Sequence, residues 1–151
     1  MESIEKIYYD IIQNENKLNN LFCTIKINNY IFNKIKVVAT SSDIKNGLMG
    51  VEKLSYSEGM LFIFDKLSIH RFWMKNTIIP LDVIFFDENK NIISIYSMDV
   101  EQPKNRFESE KEYEKRLKRY SSIKPCKYAL EINYGLSTTF NFKIGDRLNI
   151  F

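Results

Sequence analysis

Short runs of alternating apolar and polar residues, separated by turn-forming residues, dominate the chain after residue 21. Lys34 to Ala39 is one such run, and the pair Asn28-Asn29 before it is a typical turn signal. Gly59 to Phe64 is apolar throughout, which is typical of a strand buried on both faces. The runs do not alternate regularly with helical patterns. The sequence therefore predicts a mainly antiparallel β-sandwich or barrel-like domain over residues 22–151, with Gly59 to Phe64 as a central strand.

Polar residues interrupt the apolar pattern between two further predicted strands, His70 to Met74 and Leu81 to Phe86. The interruption is the triplet Lys75-Asn76-Thr77. A polar loop at residues 87–91 then forms a hairpin into a strand from Ile92 to Met98. A sequence shaped only by burial would not place polar groups in this region, so they are candidates for function.

The first 21 residues have a helical period instead of an alternating one. Ile4, Ile7 and Ile11 lie near one face of the predicted amphipathic helix, and charged residues lie elsewhere. Two interpretations remain open: the helix packs on its own domain, or it docks onto a protein partner.

A second helix, Glu108 to Tyr120, is predicted within a charged insert at residues 107–122. Tyr113 and Leu117 give it a narrow apolar stripe, and Arg116 and Arg119 belong to its basic second half. The insert is interpreted either as an exposed, solvated helix or as a contact surface for an acidic partner.

Length and charge narrow the class of protein. The chain has 151 residues, of which 44% are hydrophobic, and this suits one globular domain. Its net charge of +3 is too small to indicate a nucleic-acid partner. No apolar stretch is long enough to cross a bilayer, and the first residues lack the apolar core of a signal peptide. The expected location is the cytoplasm, or a particle assembled there.

The cysteines and the single histidine do not form a metal-binding pattern. Cys23 and Cys126 are far apart in the chain and have no nearby ligand partners, so two reduced thiols are expected, with no metal and no cofactor. His70 has no neighbouring nucleophile with which to form a catalytic triad, and no catalytic residue is predicted.

Asp82 is the polar residue that needs the most explanation, because it lies in an otherwise apolar strand. A buried carboxylate requires partners, and Lys75, Arg147 or backbone donors could supply them. Asp82 is therefore either a structural group or a ligand-orienting one beside Trp73 and Asn76. Glu131 is interpreted as an outward residue on a half-exposed strand. The candidate ligand-binding residues are Trp73, Lys75, Asn76, Asp82 and Arg147.

Several separated motifs resemble the family called domain of unknown function 192. They are GLMG at residues 47–50, GMLFIF at 59–64, FWMKNTIIPLD at 72–82, FFD at 85–87, PCKYALEINYG at 125–135 and IGDRLNIF at 144–151. The resemblance implies a β-rich, jelly-roll-like domain and no established reaction. The family usually flanks GLMG with arginines, where this chain has Asn46 and Val51.

Two functions are therefore expected to compete. The first is a non-enzymatic binding module for a polar small molecule or a glycan. The alternative is a structural or assembly subunit of a larger complex, such as a virus particle, which docks through Ile4, Ile7, Ile11, Tyr113, Leu117, Arg116 and Arg119. An enzyme is the third and least favoured reading.

Overall fold

The fold is known from a computed structural model, which describes residues 21–151 and, before them, only Lys6. The predicted N-terminal helix, with Ile4, Ile7 and Ile11, lies outside the described residues.

A seven-stranded, curled sheet forms the body of the described chain, with the order β6-β5-β8-β3-β2-β1-β9. All of its neighbouring strands are antiparallel except β2 and β3. The strands are β1 (Phe22–Ile27), β2 (Tyr30–Val38), β3 (Glu58–Ser68), β4 (Arg71–Phe72), β5 (Leu81–Phe86), β6 (Ile92–Met98), β7 (Tyr120–Ser121), β8 (Cys126–Asn133) and β9 (Leu148–Ile150). The helices are α1 (Ser41–Asn46), α2 (Glu110–Arg116) and α3 (Leu136–Thr139). The prediction of a mainly β, mainly antiparallel domain is confirmed.

The two faces of the sheet carry separate hydrophobic cores, because alternate residues of each strand point to opposite faces. In β3, Leu61 and Ile63 belong to the first core, together with Phe32, Ile84 and other residues of the same face. Met60, Phe62 and Phe64 belong to the second core on the opposite face. Since β3 also pairs on both sides, with β2 and β8, the predicted central and buried strand is confirmed.

The polar triplet forms a turn, as its composition suggests, but the strand before it is shorter than predicted. Only Arg71 and Phe72 pair, with Ser121 and Tyr120 of β7, in a small separate sheet. The chain then turns, with Asn76 at a φ of 52° and the Thr77 N–H donating to the Met74 carbonyl. This turn holds residues 70–77 over the second core.

The insert is a short helix whose apolar stripe packs on its own domain. Ser109 and Glu112 form a capping box that starts α2, and the helix ends at Arg116 because the following residues run toward β7. Tyr113, Leu117 and Tyr120 are all buried, at 2%, 3% and 4% exposure. The helix is thus shorter than the predicted span of residues 108–120, and the stripe proposed for docking is covered by the domain itself.

Candidate functional site

A cavity of about 270 Å³ opens on the face of the second core. It is lined by residues 44–49, by Phe62 and Phe64 of β3, by residues 70–73 with Lys75 and Thr77, and by Glu131 of β8. The helix α1 and the loop after it form one wall, and the segment around β4 forms the other. Three parts of the chain that are distant in sequence therefore meet at Glu131.

Glu131 is buried, not outward as its sequence context was interpreted. Its side chain is 5% exposed, since β8 lies between β3 and β5 and its second-core face is covered by the two walls of the cavity. Among the described residues its carboxyl group has neither a hydrogen bond nor an ion pair. In this part of the chain, every side-chain oxygen that is completely closed off from solvent has a hydrogen-bond partner. Because the Glu131 oxygens have no partner, they must keep some access to the cavity that Glu131 lines. Burial raises the pKa of Glu131 to about 8.

Gly47 leaves room beside this carboxyl group. It ends α1 with a φ of +49°, and its N–H donates to the Asp43 carbonyl. A Cβ at this position would lie 3.7 Å from Oε1 of Glu131 and would force a strained backbone. The first glycine of the GLMG motif thus allows the chain to turn beside the Glu131 carboxyl group without backbone strain.

Several aromatic rings line the cavity together with Glu131. Phe62 and Phe72 meet edge to face with 4.8 Å between ring centroids, and Phe64 stacks on His70 at 3.6 Å. His70 Nε2 lies 3.1 Å from Ser68 Oγ, and burial lowers the pKa of its imidazole. His70 is therefore a neutral part of the aromatic wall above pH 7.

Positively charged residues from both walls line the cavity. Lys45 and Arg71 are exposed, and neither has an ion-pair partner among the described residues. Lys75 differs, because its Nζ lies 2.8 Å from Oε1 of Glu110 in α2, and this hydrogen bond raises the pKa of Lys75. Arg119 lies over the ring of Trp73, 4.7 Å from its centroid, and so holds the end of the insert against the cavity wall.

The structure separates the predicted ligand-binding residues instead of gathering them. Trp73 and Lys75 line the cavity, whereas Asn76, Asp82 and Arg147 do not. Asn76 is exposed, and its backbone N–H donates to the Tyr113 hydroxyl group. Arg147 is exposed and forms an isolated β-bridge with Asn91, where the chain enters β9 and β6.

Asp82 is fully buried on the face of the first core, where four hydrogen bonds satisfy its carboxylate. The donors are the Ser97 hydroxyl group at 2.7 Å, the backbone N–H groups of Gly135 and Ser137 at 3.0 and 2.9 Å, and the Ser137 hydroxyl group. This confirms the expectation of a buried carboxylate with backbone partners. Asp82 thereby ties β5 to the start of α3.

Arg116 and Arg119, which the sequence suggested for partner docking, both fold back onto the protein. Arg116 makes two hydrogen bonds to the Glu108 carboxylate, at 2.8 and 3.0 Å, and two more to the carbonyl groups of Gln102 and Pro103. Arg119 donates to the carbonyl groups of Glu114 and Leu117. These contacts use both side chains to fix the shape of the insert.

Two other kinds of site are absent from the part of the chain that the structure describes. Residues 21–151 and Lys6 contain no group of three or more acidic, cysteine or histidine side chains that could hold a metal ion. In the same residues, no helix is long and apolar enough to cross a membrane. Cys23 and Cys126 are both free thiols, as predicted, and burial raises the pKa of each.

Comparisons with known proteins agree with this fold. No curated protein matches the chain. A crystal structure of a protein of unknown function from Novosphingobium aromaticivorans DSM 12444 is 26% identical, covers 83% of each chain and has a TM-score of 0.70. A second crystal structure, titled as "a putative transcription regulator" from Sinorhizobium meliloti 1021, is 24% identical and also has a TM-score of 0.70. It covers 87% of this chain and 95% of that chain, and its likeness shows the fold alone.

The motifs that suggested a family are now placed in the fold. GLMG forms the loop after α1, GMLFIF is the buried part of β3, and FWMKN leads through the turn at Asn76. The model of the domain-of-unknown-function 192 family, described as an uncharacterized ACR, matches residues 24–150. Because this match covers nearly the whole chain, the protein belongs to that family.

Proposed function

We propose that the protein is a non-enzymatic binding module whose cavity takes up a small polar molecule or the end of a glycan. The observation that carries the proposal is the Glu131 carboxyl group, which is buried, reaches the cavity and has no partner among the described residues. A buried polar group without a partner costs about 1–3 kcal/mol of stability. A ligand that supplies the missing hydrogen bond would recover that free energy on binding.

The surroundings of Glu131 suit recognition of a polar molecule. The aromatic residues Phe62, Phe72 and Trp73 line the cavity, and the Glu131 carboxyl group adds one directional hydrogen bond. Aromatic faces with a few convergent polar groups are typical of small-molecule sites. Trp73 and Lys75, which the sequence suggested as ligand contacts, belong to this same wall.

Binding requires only one hydrogen-bonding group in the cavity, the Glu131 carboxyl group. Acid–base catalysis would require a second group positioned for proton transfer. His70, which also lines the cavity, is a residue of that kind. Its ring is stacked on Phe64, and its Nε2 lies near both Ser68 Oγ and the Lys66 carbonyl group. These contacts support a binding role more strongly than a catalytic one.

The alternative of a structural or assembly subunit depends on exposed docking faces. Ile4, Ile7 and Ile11 lie outside the described residues, and Tyr113 and Leu117 are buried in the domain. The described residues therefore give the assembly proposal less support than they give the binding proposal.

A titration with two neutral probes tests the proposal. The probes are 4-hydroxybenzamide, which is aromatic, and methyl α-D-glucopyranoside, which is a sugar. In ¹⁵N–¹H spectra of the full chain, at least one probe should cause saturable shifts of the backbone amides of Gly47, Phe72 and Glu131. Glu131→Leu removes the hydrogen bond at similar volume and should weaken that binding at least tenfold.

The matched control is Glu88→Leu, which changes an exposed acid in the β5–β6 hairpin, away from the cavity lining. It should bind the probes as the wild type does. Shifts that do not saturate, or a cavity whose amides respond to neither probe, would contradict the proposed function.

A further inference from the structure

Charged residues are distributed unevenly around the cavity, and their distribution indicates a class of ligand. Two exposed cationic residues, Lys45 and Arg71, line it, and neither forms an ion pair within the described residues. The one acid among the described lining residues is the buried Glu131, and aromatic residues line the same cavity. A site that has both unpaired cations and an unpaired acid favours a ligand with two different polar groups.

We propose that the ligand of this cavity is a small organic anion, whose charged group lies at Lys45 and Arg71 and whose second polar group accepts a hydrogen bond from Glu131. This inference rests on the proposed binding function and names the chemistry of its ligand. The charged group is a carboxylate or a phosphate, since both match the fork of an arginine side chain.

The size of the cavity limits the ligand. At about 30 Å³ for each water molecule, a cavity of about 270 Å³ has room for roughly nine waters and so suits a small ligand. One ring with two substituents is of this size, and Phe62, Phe72 and Trp73 of the lining would contact it. A larger molecule would have to leave part of itself outside the cavity.

The protonation of the site favours an anion over a cation. Burial raises the pKa of Glu131 to about 8, so its carboxyl group is mostly neutral at pH 7 and can donate its proton. The other titratable or charged groups at the cavity are Lys45 from α1 and His70, Arg71 and Lys75 from the opposite wall. The pKa of His70 is lowered and that of Lys75 is raised, so neither changes charge between pH 7 and 9. With Lys75 paired to Glu110 and Glu114, Lys45 and Arg71 leave a net positive charge on the cavity lining at pH 7, which would attract an anion and repel a cation.

This arrangement couples anion binding to a proton. An anion binds best while Glu131 is neutral, because an ionised Glu131 would repel it and could no longer donate a hydrogen bond. About one tenth of Glu131 remains protonated one pH unit above its pKa, so affinity should fall about tenfold from pH 7 to pH 9. The fall should be absent in Glu131→Gln, which keeps a donor and cannot ionise.

Three probes of the same shape and different charge test the inference by calorimetry on the full chain. They are 4-hydroxybenzoate, 4-hydroxybenzamide and 4-hydroxybenzamidine, which are anionic, neutral and cationic at pH 7. The anion should bind at least tenfold more tightly than the amide, and the amidine should bind most weakly. A further titration with phenyl phosphate compares a phosphate with a carboxylate. Tighter binding of either one supports an anionic ligand and shows which charged group the site prefers.

Two double variants, each of which removes two positive charges, distinguish the effect of the cavity cations from the effect of the protein's net charge. Lys45→Gln with Arg71→Gln should lose at least tenfold in affinity for the benzoate and keep its affinity for the amide, which also shows that it folds. Lys124→Gln with Lys143→Gln removes two exposed cations that do not line the cavity, and it should bind as the wild type does.

The outcomes distinguish this inference from the function on which it rests. If the amide or the amidine binds the cavity as tightly as the benzoate, the protein is a binding module and the anion inference is overturned. A benzoate affinity that does not change from pH 7 to pH 9 in the wild type also overturns it. If none of the probes binds in the cavity, the proposed function fails together with the inference.

Discussion

Two buried acids on neighbouring strands of the same sheet have opposite surroundings. Asp82 in β5 is 0% exposed and accepts four hydrogen bonds, whereas Glu131 in β8 is 5% exposed and accepts none from the described residues. The two strands pair directly, with Asp82 opposite Ile132 and Val83 opposite Glu131. One step of register therefore separates the two acids and places them on opposite faces of the sheet.

A buried acid can stabilise the fold or form part of a site, and its hydrogen-bond partners decide which. The donors around Asp82 come from β6 and from the start of α3, so its carboxylate joins elements that lie far apart in the sequence. The space in front of Glu131 is an open cavity lined by rings and cations. Replacing Asp82 should therefore damage the fold, whereas replacing Glu131 should change protonation and binding.

Asp82→Ala should produce the largest effect on stability. It removes the acceptor of four hydrogen bonds and leaves the N–H groups of Gly135 and Ser137 without a partner. We expect a loss of about 3–4 kcal/mol in the free energy of unfolding, measured by urea denaturation at pH 7. Asp82→Asn keeps one acceptor oxygen and should lose less, and the exposed Asp65→Ala should lose almost nothing. An Asp82→Ala protein as stable as the wild type would contradict the structural role of Asp82.

Glu131→Gln should change how stability depends on pH. The pKa of Glu131 is raised in the folded protein from 4.5 to about 8, so the folded state holds this proton more tightly than the unfolded state. Its contribution to stability is complete below about pH 4.5 and is lost as the pH rises to about 8. Between pH 5 and pH 8, the wild type should therefore lose about 3 kcal/mol relative to Glu131→Gln.

Urea denaturation at pH 5, 6.5 and 8 measures this difference, and the variant serves as the reference for every other titrating group. Parallel curves for the two proteins would mean that Glu131 has an ordinary pKa. The contrast between the two acids would then be one of geometry alone.

Ser137→Ala should have the smallest effect on stability, and it measures the contribution of a single hydrogen bond to Asp82. It removes one of the four donors, while the Ser137 backbone N–H still donates to the same oxygen. We expect a loss of about 1 kcal/mol in the free energy of unfolding, and almost none for the exposed neighbour Thr138→Ala. A loss as large as that of Asp82→Ala would show that the four hydrogen bonds act as one cooperative unit.

The local pattern of the sequence was enough to predict the strands and much of their burial. The apolar run of Gly59 to Phe64 and the hairpin around Asp87 are signals that need only neighbouring residues. The structure confirms both, with two N–H groups of the hairpin donating to the Asp87 carboxylate at 2.9 Å. The burial of Asp82 was also predictable, because a single acid in an apolar strand has to be satisfied by partners.

The candidate site was not predictable in the same way, because it depends on the order of strands and on long-range cover. In the sequence, Glu131 sits between Leu130 and Ile132, a pattern that an outward residue would also produce. Its burial follows from the place of β8 between β3 and β5, and from walls contributed by residues about 60 and 85 positions earlier. The available signal was the proximity of Glu131 to apolar residues on both sides of the strand, which is typical of a strand covered on both faces.

The insert gives a second example of the same limit. Its stripe of Tyr113 and Leu117 has the spacing of a docking helix, but the same spacing also suits a helix packed on its own domain. The structure shows the second case, since the Tyr113 hydroxyl group accepts the Asn76 N–H and Lys75 pairs with Glu110. Only the positions of these distant partners decide between the two.

A direct titration of Glu131 tests the central claim, that this buried acid is neutral at pH 7 and available to a ligand. The side-chain carboxyl carbon of Glu131 can be followed by ¹³C NMR from pH 4 to pH 10, with its signal assigned by its loss in Glu131→Gln. We expect an apparent pKa of about 8 for this carboxyl group. A pKa below 5 would show that Glu131 is ionised at pH 7, and it would contradict both its neutral state and the proton-linked site built on it.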